Sequence, residues 1–260
     1  METMTTSIIL PFLVFFPFLG AVISYIIGRS NKGARDIWCW ILSAVIFIAS
    51  LMLIGKETVY SLRGFCGLGL SFVADGFGVI LAVLTGAIWL ITTIFSKEYM
   101  AAERNRNRYY FFVFLTLGAT MGIFLSADLF TTFIFFEIMS FTSFVLVMHD
   151  EEDFTVRSAK TYLAVAVIGG LVTLMGLFMM YQKAGTLNMT ELTAFMQSRE
   201  NPAEFYAIGV LILFGFAAKA GLFPLHIWLP NAYTVAPAPS SALLSCPLPP
   251  SITTKLGKSS

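Results

Sequence analysis

Met4–Gly28 runs for 25 residues without a charged side chain. A helix crossing the hydrocarbon core of a bilayer needs ~20 mostly apolar residues, and this segment has them. Six more segments qualify, so seven spans are predicted, at about 7–28, 37–55, 71–95, 109–127, 129–148, 160–182 and 205–226. Lipid offers no water to an unpaired backbone amide, so each span is expected to be helical. The expected fold class is all-α: a polytopic membrane helix bundle of about seven transmembrane helices. Composition points the same way. Hydrophobic residues make up 57% of the chain and charged residues 12%, against ~25% charged in soluble domains.

Loop charges orient the bundle. The loops after spans one, three and five carry nine basic residues: Arg29, Lys32, Arg35, Lys97, Arg104, Arg106, Arg108, Arg157 and Lys160. The opposite side carries four: Lys56, Arg63, Lys183 and Arg199. The first set is expected on the cytoplasmic side, which puts the N-terminus outside. Residues 1–6 contain Glu2 and no basic residue, so no cleavable signal is expected and the first span is read as retained. The net charge of +1 gives no reason for a nucleic-acid partner. Cys39, Cys66 and Cys246 are scattered and suggest neither a disulfide framework nor a metal site.

Two charges fall inside apolar spans. Glu137 is flanked by Phe-Ile-Phe-Phe and Ile-Met-Ser-Phe, which places it near mid-depth of span five. An ionised carboxylate there costs at least ~2.5–3.5 kcal/mol, so it must be paired, hydrated or protonated. Ser140, one turn on, is a candidate hydrogen-bond partner. The structural alternative is a protonated Glu137 bonded to a neighbouring helix. Lys219 lies in span seven among Gly215, Gly221 and Pro224. Pro224 cannot donate to the carbonyl of Ala220, so the span is expected to kink or break there. Broken membrane helices often build ion sites. The alternative is a lysine that snorkels to the interface. If the two helices touch, each charge would bias the proton affinity of the other.

His226 ends span seven and reads equally as a proton relay or as an interfacial residue beside an anchoring Trp228. Asp75 is either interfacial or on a proton path. His149 opens an acidic loop read as a solvated face. Arg157 and Lys160 read as cytoplasmic anchors, with Lys160 also able to face the bundle. Gly169–Gly170 suggests a close helix approach. Thr190–Glu191 is a candidate start for a short surface helix. No phosphate loop, catalytic triad or metal-spaced cluster is present, so no catalytic or metal-binding residue is assigned.

Longer motifs carry a resemblance. Phe135-Phe-Glu137-Ile-Met-Ser-Phe, Arg157-Ser-Ala-Lys-Thr-Tyr162, and Lys219 with Phe223-Pro-Leu-His226-Ile-Trp-Leu-Pro230-Asn-Ala-Tyr-Thr-Val-Ala-Pro237-Ala-Pro-Ser-Ser-Ala-Leu-Leu244 resemble the antiporter-like, proton-conducting membrane subunits. Such subunits occur in NADH:quinone oxidoreductase, membrane-bound hydrogenases, formate hydrogenlyase and multisubunit Na⁺/H⁺ antiporters. The resemblance covers residues 7–245. It implies a fourteen-helix fold with two inverted repeats, of which this chain is the N-terminal half. It implies Glu137 as the buried modulating acid, Lys219 as the protonatable lysine and His226 as part of the polar track beyond; Lys160 and Asp75 are secondary candidates from their positions alone. Any Fe–S cluster, flavin or NiFe centre would belong to partner subunits. The expected partners are other membrane subunits, the lipid bilayer and H⁺ or Na⁺. The expected location is the bacterial inner cell membrane.

The domain layout expected is a three-helix segment at 1–108, an incomplete first repeat at 109–245 and a polar tail at 246–260. The tail departs from the family pattern, so truncation after Ser245 is expected and Lys255 is not equated with a family lysine. The expected function is proton or sodium translocation within an energy-converting respiratory or hydrogenase complex. The alternatives are a non-transporting assembly fragment and membership of a multisubunit Na⁺/H⁺ antiporter.

Overall fold

The computed structural model describes residues 5–62, 64, 69–101, 103, 105–197, 203–222, 226 and 228–245. Expectations about Cys66, Pro224, Cys246 and the tail 246–260 lie outside these residues. Each expected span contains a helix: α1 (Ile9–Ser30), α2 (Lys32–Leu51), α3 (Gly76–Tyr99), α4 (Arg106–Phe124), α5 (Leu129–Val147), α6 (Asp153–Ala184) and, after the short α7 (Met189–Gln197), α8 (Ala203–Ala220). Two short helices follow, α9 (Trp228–Val235) and α10 (Ala238–Ser245). α7 begins beside Thr190–Glu191, as the sequence suggested. Pro230 and Pro239 each fall in a first helical turn, where a missing amide breaks no intrahelical bond.

Among the described residues five helices are long and apolar enough to cross a membrane: α1, α2, α3, α5 and α6. α4 opens on Arg-Asn-Arg, and the apolar run of α8 is confined to Phe205–Ala220. Both are held by packing: α4 lies against α1 and α5, and α8 runs along α6. α4 is the most enclosed helix, with Tyr109, Tyr110, Phe114, Leu117 and Phe124 all buried. The chain is therefore a transmembrane helix bundle. α6, at 32 residues, is about 48 Å long at 1.5 Å per residue. It starts seven residues before the predicted span at 160, which leaves its charged first turns beyond a ~30 Å hydrocarbon layer.

One prediction fails at the start of span three. Leu70–Ala74 is a strand, β3, not helix. It pairs antiparallel with β2 (Thr58–Leu62), Val59 opposite Val73, and β2 pairs in parallel with β1 (Thr5–Thr6). Leu-Ser-Phe-Val-Ala is as apolar as a helix turn, but it alternates buried and half-buried positions with a period of two. β3 is also sewn to the α4–α5 turn. Val73 N–H donates to Leu125 O (2.7 Å), and Ala127 N–H donates to Ser71 O (2.9 Å). These bonds satisfy backbone groups at one end of the bundle and fix where α5 begins.

Charge fixes the other end. The loop after span one is a single residue, Asn31, whose side chain accepts from the amides of Gly33 and Ala34 and caps α2. Arg35 and Asp36 therefore sit on a helix rather than in a loop. Arg35 is fully buried. Its guanidinium pairs with Asp36 at 2.7 Å, donates to Asn107 and lies over the Tyr110 ring. Arg106 reaches the second Asp36 oxygen at 3.3 Å. This network ties α2 to α4.

Candidate functional site

α8 stops beside its lysine because of Gly221. That residue has φ +69°, a left-handed conformation that glycine adopts without cost. The Leu222 amide donates to Ala217 O (3.0 Å) and the Gly221 amide to Ala218 O (3.4 Å), the paired bonds of a Schellman stop. The break foreseen at Pro224 thus begins at Gly221, with Pro224 itself outside the described residues. Trp228, the first residue of α9, donates its indole N–H to Ala218 O at 3.0 Å. It satisfies a carbonyl at the helix end. Trp228 is buried, so it closes the helix break and does not anchor an interface.

Lys219 sits in the last turn of α8, where the helix dipole favours a cation. It is 6% exposed, so it does not snorkel to a surface. The ammonium crosses to α5. It donates to Phe136 O (3.0 Å) and to Ser140 Oγ, and it lies 4.3 Å from the centre of the Phe136 ring. Two of its three donors are thereby used, and the aromatic face adds an attraction of up to about 2 kcal/mol in a desolvated setting.

Glu137 is the ninth residue of the 19 in α5, between Phe136 and the turn that carries Ser140. It is half-buried. Its side chain does not take up Ser140, which receives the Lys219 ammonium and donates to Phe136 O at 2.8 Å. Among the described residues Glu137 makes no direct ion pair with Lys219. Its buried Oε1 has no hydrogen-bond partner. The carboxylate instead lies against α6 at Gly170: a Cβ built there would stand 2.9 Å from Glu137 Cδ. Lysine and acid are thus held by the same helix at adjacent positions, near enough for their charges to interact.

A small cavity of about 30 Å³ adjoins Lys219. A cavity of that size holds water only where polar groups line it. Its lining is largely apolar, with Phe136, Met139, Ala220, Trp228 and Leu244 beside the hydroxyl-bearing Thr116, Ser143, Tyr162 and Tyr233. Ser143 and Tyr162 share a hydrogen bond of 2.6 Å between α5 and α6. The Tyr162 ring packs 4.8 Å from Trp228. The hydroxyls of Ser143 and Tyr162 thus lie beyond the ammonium, beside a cavity that is otherwise largely apolar.

The other predicted residues lie apart from this centre. His226 is exposed, beyond the helix break. Lys160 is exposed on α6 and does not face the bundle. Asp75 caps α3, accepting from the Gly78 amide at 2.9 Å, because the helix starts after it and not before. His149 is buried, 5.7 Å from the Tyr109 ring, rather than on a solvated face. The sequence reading passed over Phe136, Ser143 and Tyr162. For Phe136 and Ser143 the signal was spacing, since with Ser140 they follow at i, i+4 and i+7 and so share a helix face; Tyr162, on α6, had only its place in the Arg157–Tyr162 motif. Among the described residues no group of three or more His, Cys, Asp or Glu is placed to hold a metal ion.

Fold and site together define a polytopic membrane helix bundle with an ionisable centre built at a helix break. The chain belongs to the NADH:quinone oxidoreductase/Mrp antiporter transmembrane family, whose model matches residues 126–255 and so includes both Glu137 and Lys219. It is 33% identical over 67% of its length to a Na⁺/H⁺ antiporter subunit of Alkalihalophilus pseudofirmus, covering 36% of that protein. It is 31% identical over 92% of its length to the corresponding Na⁺/H⁺ antiporter subunit of Bacillus subtilis, covering 49% of that protein. The chain therefore spans about half the length, or less, of these relatives. A chain of the membrane-bound sulfane sulfur reductase, an archaeal respiratory membrane complex, shares the fold with a TM-score of 0.83 at 22% identity, over 93% of this chain and 52% of that one.

Proposed function

We propose that this chain takes part in moving H⁺ or Na⁺ across a bacterial cell membrane, as one membrane subunit of a larger complex, with Lys219 as the group that gains and loses the proton. The observation that carries this reading is the seat of Lys219. An ammonium buried at mid-bundle is held by only two hydrogen bonds, beside a cavity and one residue from the seat of an acid. Burying such a charge costs several kcal/mol even after relaxation. A purely structural lysine at this depth would be replaced by an apolar residue at little loss. A lysine that must alternate between charged and neutral forms needs this balance of desolvation against weak, reversible partners.

Glu137 acts in this scheme as the modulating charge. Among the described residues its Oε1 has no hydrogen-bond partner, so a neighbouring subunit or a passing cation can change the state of the carboxylate and, through it, the field at Lys219. His226 would stand on the surface side of the break. Asp75 and Lys160 are secondary, and their positions favour structural roles. The excess of basic loops supports a cytoplasmic position for the Arg35–Asp36–Arg106 end.

The names of the relatives favour a sodium–proton antiporter, and the fold neighbour admits a respiratory complex. The test is Lys219→Ala, assayed in everted vesicles with the complex assembled. Proton movement is followed with a pH-sensitive dye after addition of Na⁺ or of a respiratory substrate. Transport should fall to background. Unchanged transport rejects the role of Lys219, and the driving solute separates the two complexes.

A further inference from the structure

Gly169 and Gly170 are successive residues of α6, so they face about 100° apart around the helix. Gly170 faces α5. A methyl built there would meet the Glu137 carboxylate, with Oε1 at 2.5 Å, Cδ at 2.9 Å and Oε2 at 3.0 Å. Gly169 faces α8. A methyl there would meet Gly215 O at 2.8 Å and the Ala218 Cβ at 3.1 Å. Ala218 directly precedes Lys219. One dipeptide therefore touches the acid on one side and the backbone that carries the lysine on the other.

We infer that Gly169–Gly170 is the spacer that sets the separation of Glu137 from Lys219, and that Gly170 is a positioning residue for the Glu137 carboxylate. The inference deepens the ion-path reading of the pair and rests on it. Its physical basis is the contrast between the two charges. Lys219 is tethered by two hydrogen bonds to α5. Among the described residues Glu137 Oε1 has no hydrogen-bond partner, and the carboxylate fills the room left where α6 lacks a side chain. The three atoms nearest a methyl at Gly170 all belong to the far end of one flexible side chain, Glu137. Gly170→Ala should therefore leave the helix packing intact and push the carboxylate aside. Gly169→Ala would press on backbone and move α8 itself.

The experiment uses the assembled complex in everted vesicles, with Gly170→Ala, Glu137→Asp and the double variant, each read as transport rate across a range of pH. Misplacing a reacting group by about an ångström can cost up to about a hundredfold. Gly170→Ala should lower transport about tenfold and displace its pH profile, at unchanged protein level. Aspartate is one methylene shorter and fits beneath the new methyl. The double variant should therefore transport faster than Gly170→Ala alone and recover the profile. Wild-type rate and profile in Gly170→Ala would overturn the inference, as would a double variant whose loss is the product of the single losses. If Gly170→Ala fails to accumulate, Gly170→Ala/Glu137→Ala decides. Recovered accumulation places the clash at the carboxylate and supports the inference, and continued failure places it at the helix and overturns it. The outcome of Lys219→Ala tests the ion-path reading separately from all of these arms.

Discussion

The Lys219 ammonium on α8 donates to the backbone carbonyl of Phe136 on α5, 3.0 Å away, one residue before Glu137. The lysine thus binds the helix of the acid and not the acid itself. A carbonyl cannot be protonated away, so this bond persists whatever the state of Glu137. The second bond, to Ser140 Oγ, is the adjustable one.

Ser140→Ala removes that second acceptor and leaves only Phe136 O. Hydrogen bonds to charged groups contribute ~1.5–3 kcal/mol. Transport in vesicles should fall by roughly tenfold while the amount of protein in the membrane holds. A rate equal to wild type would remove Ser140 from the ion path.

Asp36→Ala should destabilise the fold more than any change at Lys219. Arg35 is fully buried, and Asp36 is its ion-pair partner at 2.7 Å. Stripping the partner from a buried charge costs ~3–5 kcal/mol. Melting of the purified protein in detergent should show a large drop, and Arg35→Leu/Asp36→Leu should recover much of it. A melting point unmoved by Asp36→Ala would contradict the buried network.

Gly221→Ala forces a side chain into a left-handed conformation and brings its Cβ to 2.9 Å from Leu229 Cδ1. The backbone cost alone is about 1–2 kcal/mol. Because the helix stop fixes the last turn of α8, transport should fall together with thermal stability. Loss of stability with full transport per folded molecule would show that the stop does not position Lys219.

Glu151 lies between α5 and α6, outside the membrane spans. The Arg108 guanidinium, which bonds it directly and also donates to His149 O at 2.8 Å, holds its carboxyl below the usual value of 4.5. A carboxyl lowered in the folded state stabilises the fold above its unfolded-state value, and that contribution disappears as pH falls through the lowered one. The pair is exposed, so the effect is small and weakens with salt. Melting points measured from pH 7 down to 3 should converge between wild type and Glu151→Gln at the acid end. A constant difference across that range would rule the ion pair out as a source of stability.

Much of the architecture was legible along the chain. Apolar runs of about 20 residues leave only helices in lipid, so α1, α2, α3, α5 and α6 follow from hydropathy, while α4 and α8 also rely on their packing. Glu137 and Lys219 stood out for the same reason, as charges where charge is costly. The break at Lys219 was legible too, although the reading rested on Pro224 where the fold first uses Gly221. The small sheet was missed because Leu70–Ala74 is apolar enough to pass for a helix start, and only its pairing with Thr58–Leu62 and the α4–α5 turn shows it to be a strand.

Hydropathy and isolated charges are one-dimensional quantities, and the sequence by itself determined what they can determine: a membrane bundle, an acid and a lysine inside its apolar spans, and a broken helix. Contacts between helices are not encoded by local spacing, so the tertiary structure alone decided the rest. It placed the Lys219 ammonium on Phe136 and Ser140 rather than on Glu137, buried Arg35 and Asp36 in one network, and turned Trp228 from an interfacial anchor into the seal of a cavity. The reason is physical: a buried polar group takes the acceptors that the packing of neighbouring helices brings within 3 Å, and that packing follows from where residues without side chains, such as Gly169 and Gly170, let two helices approach.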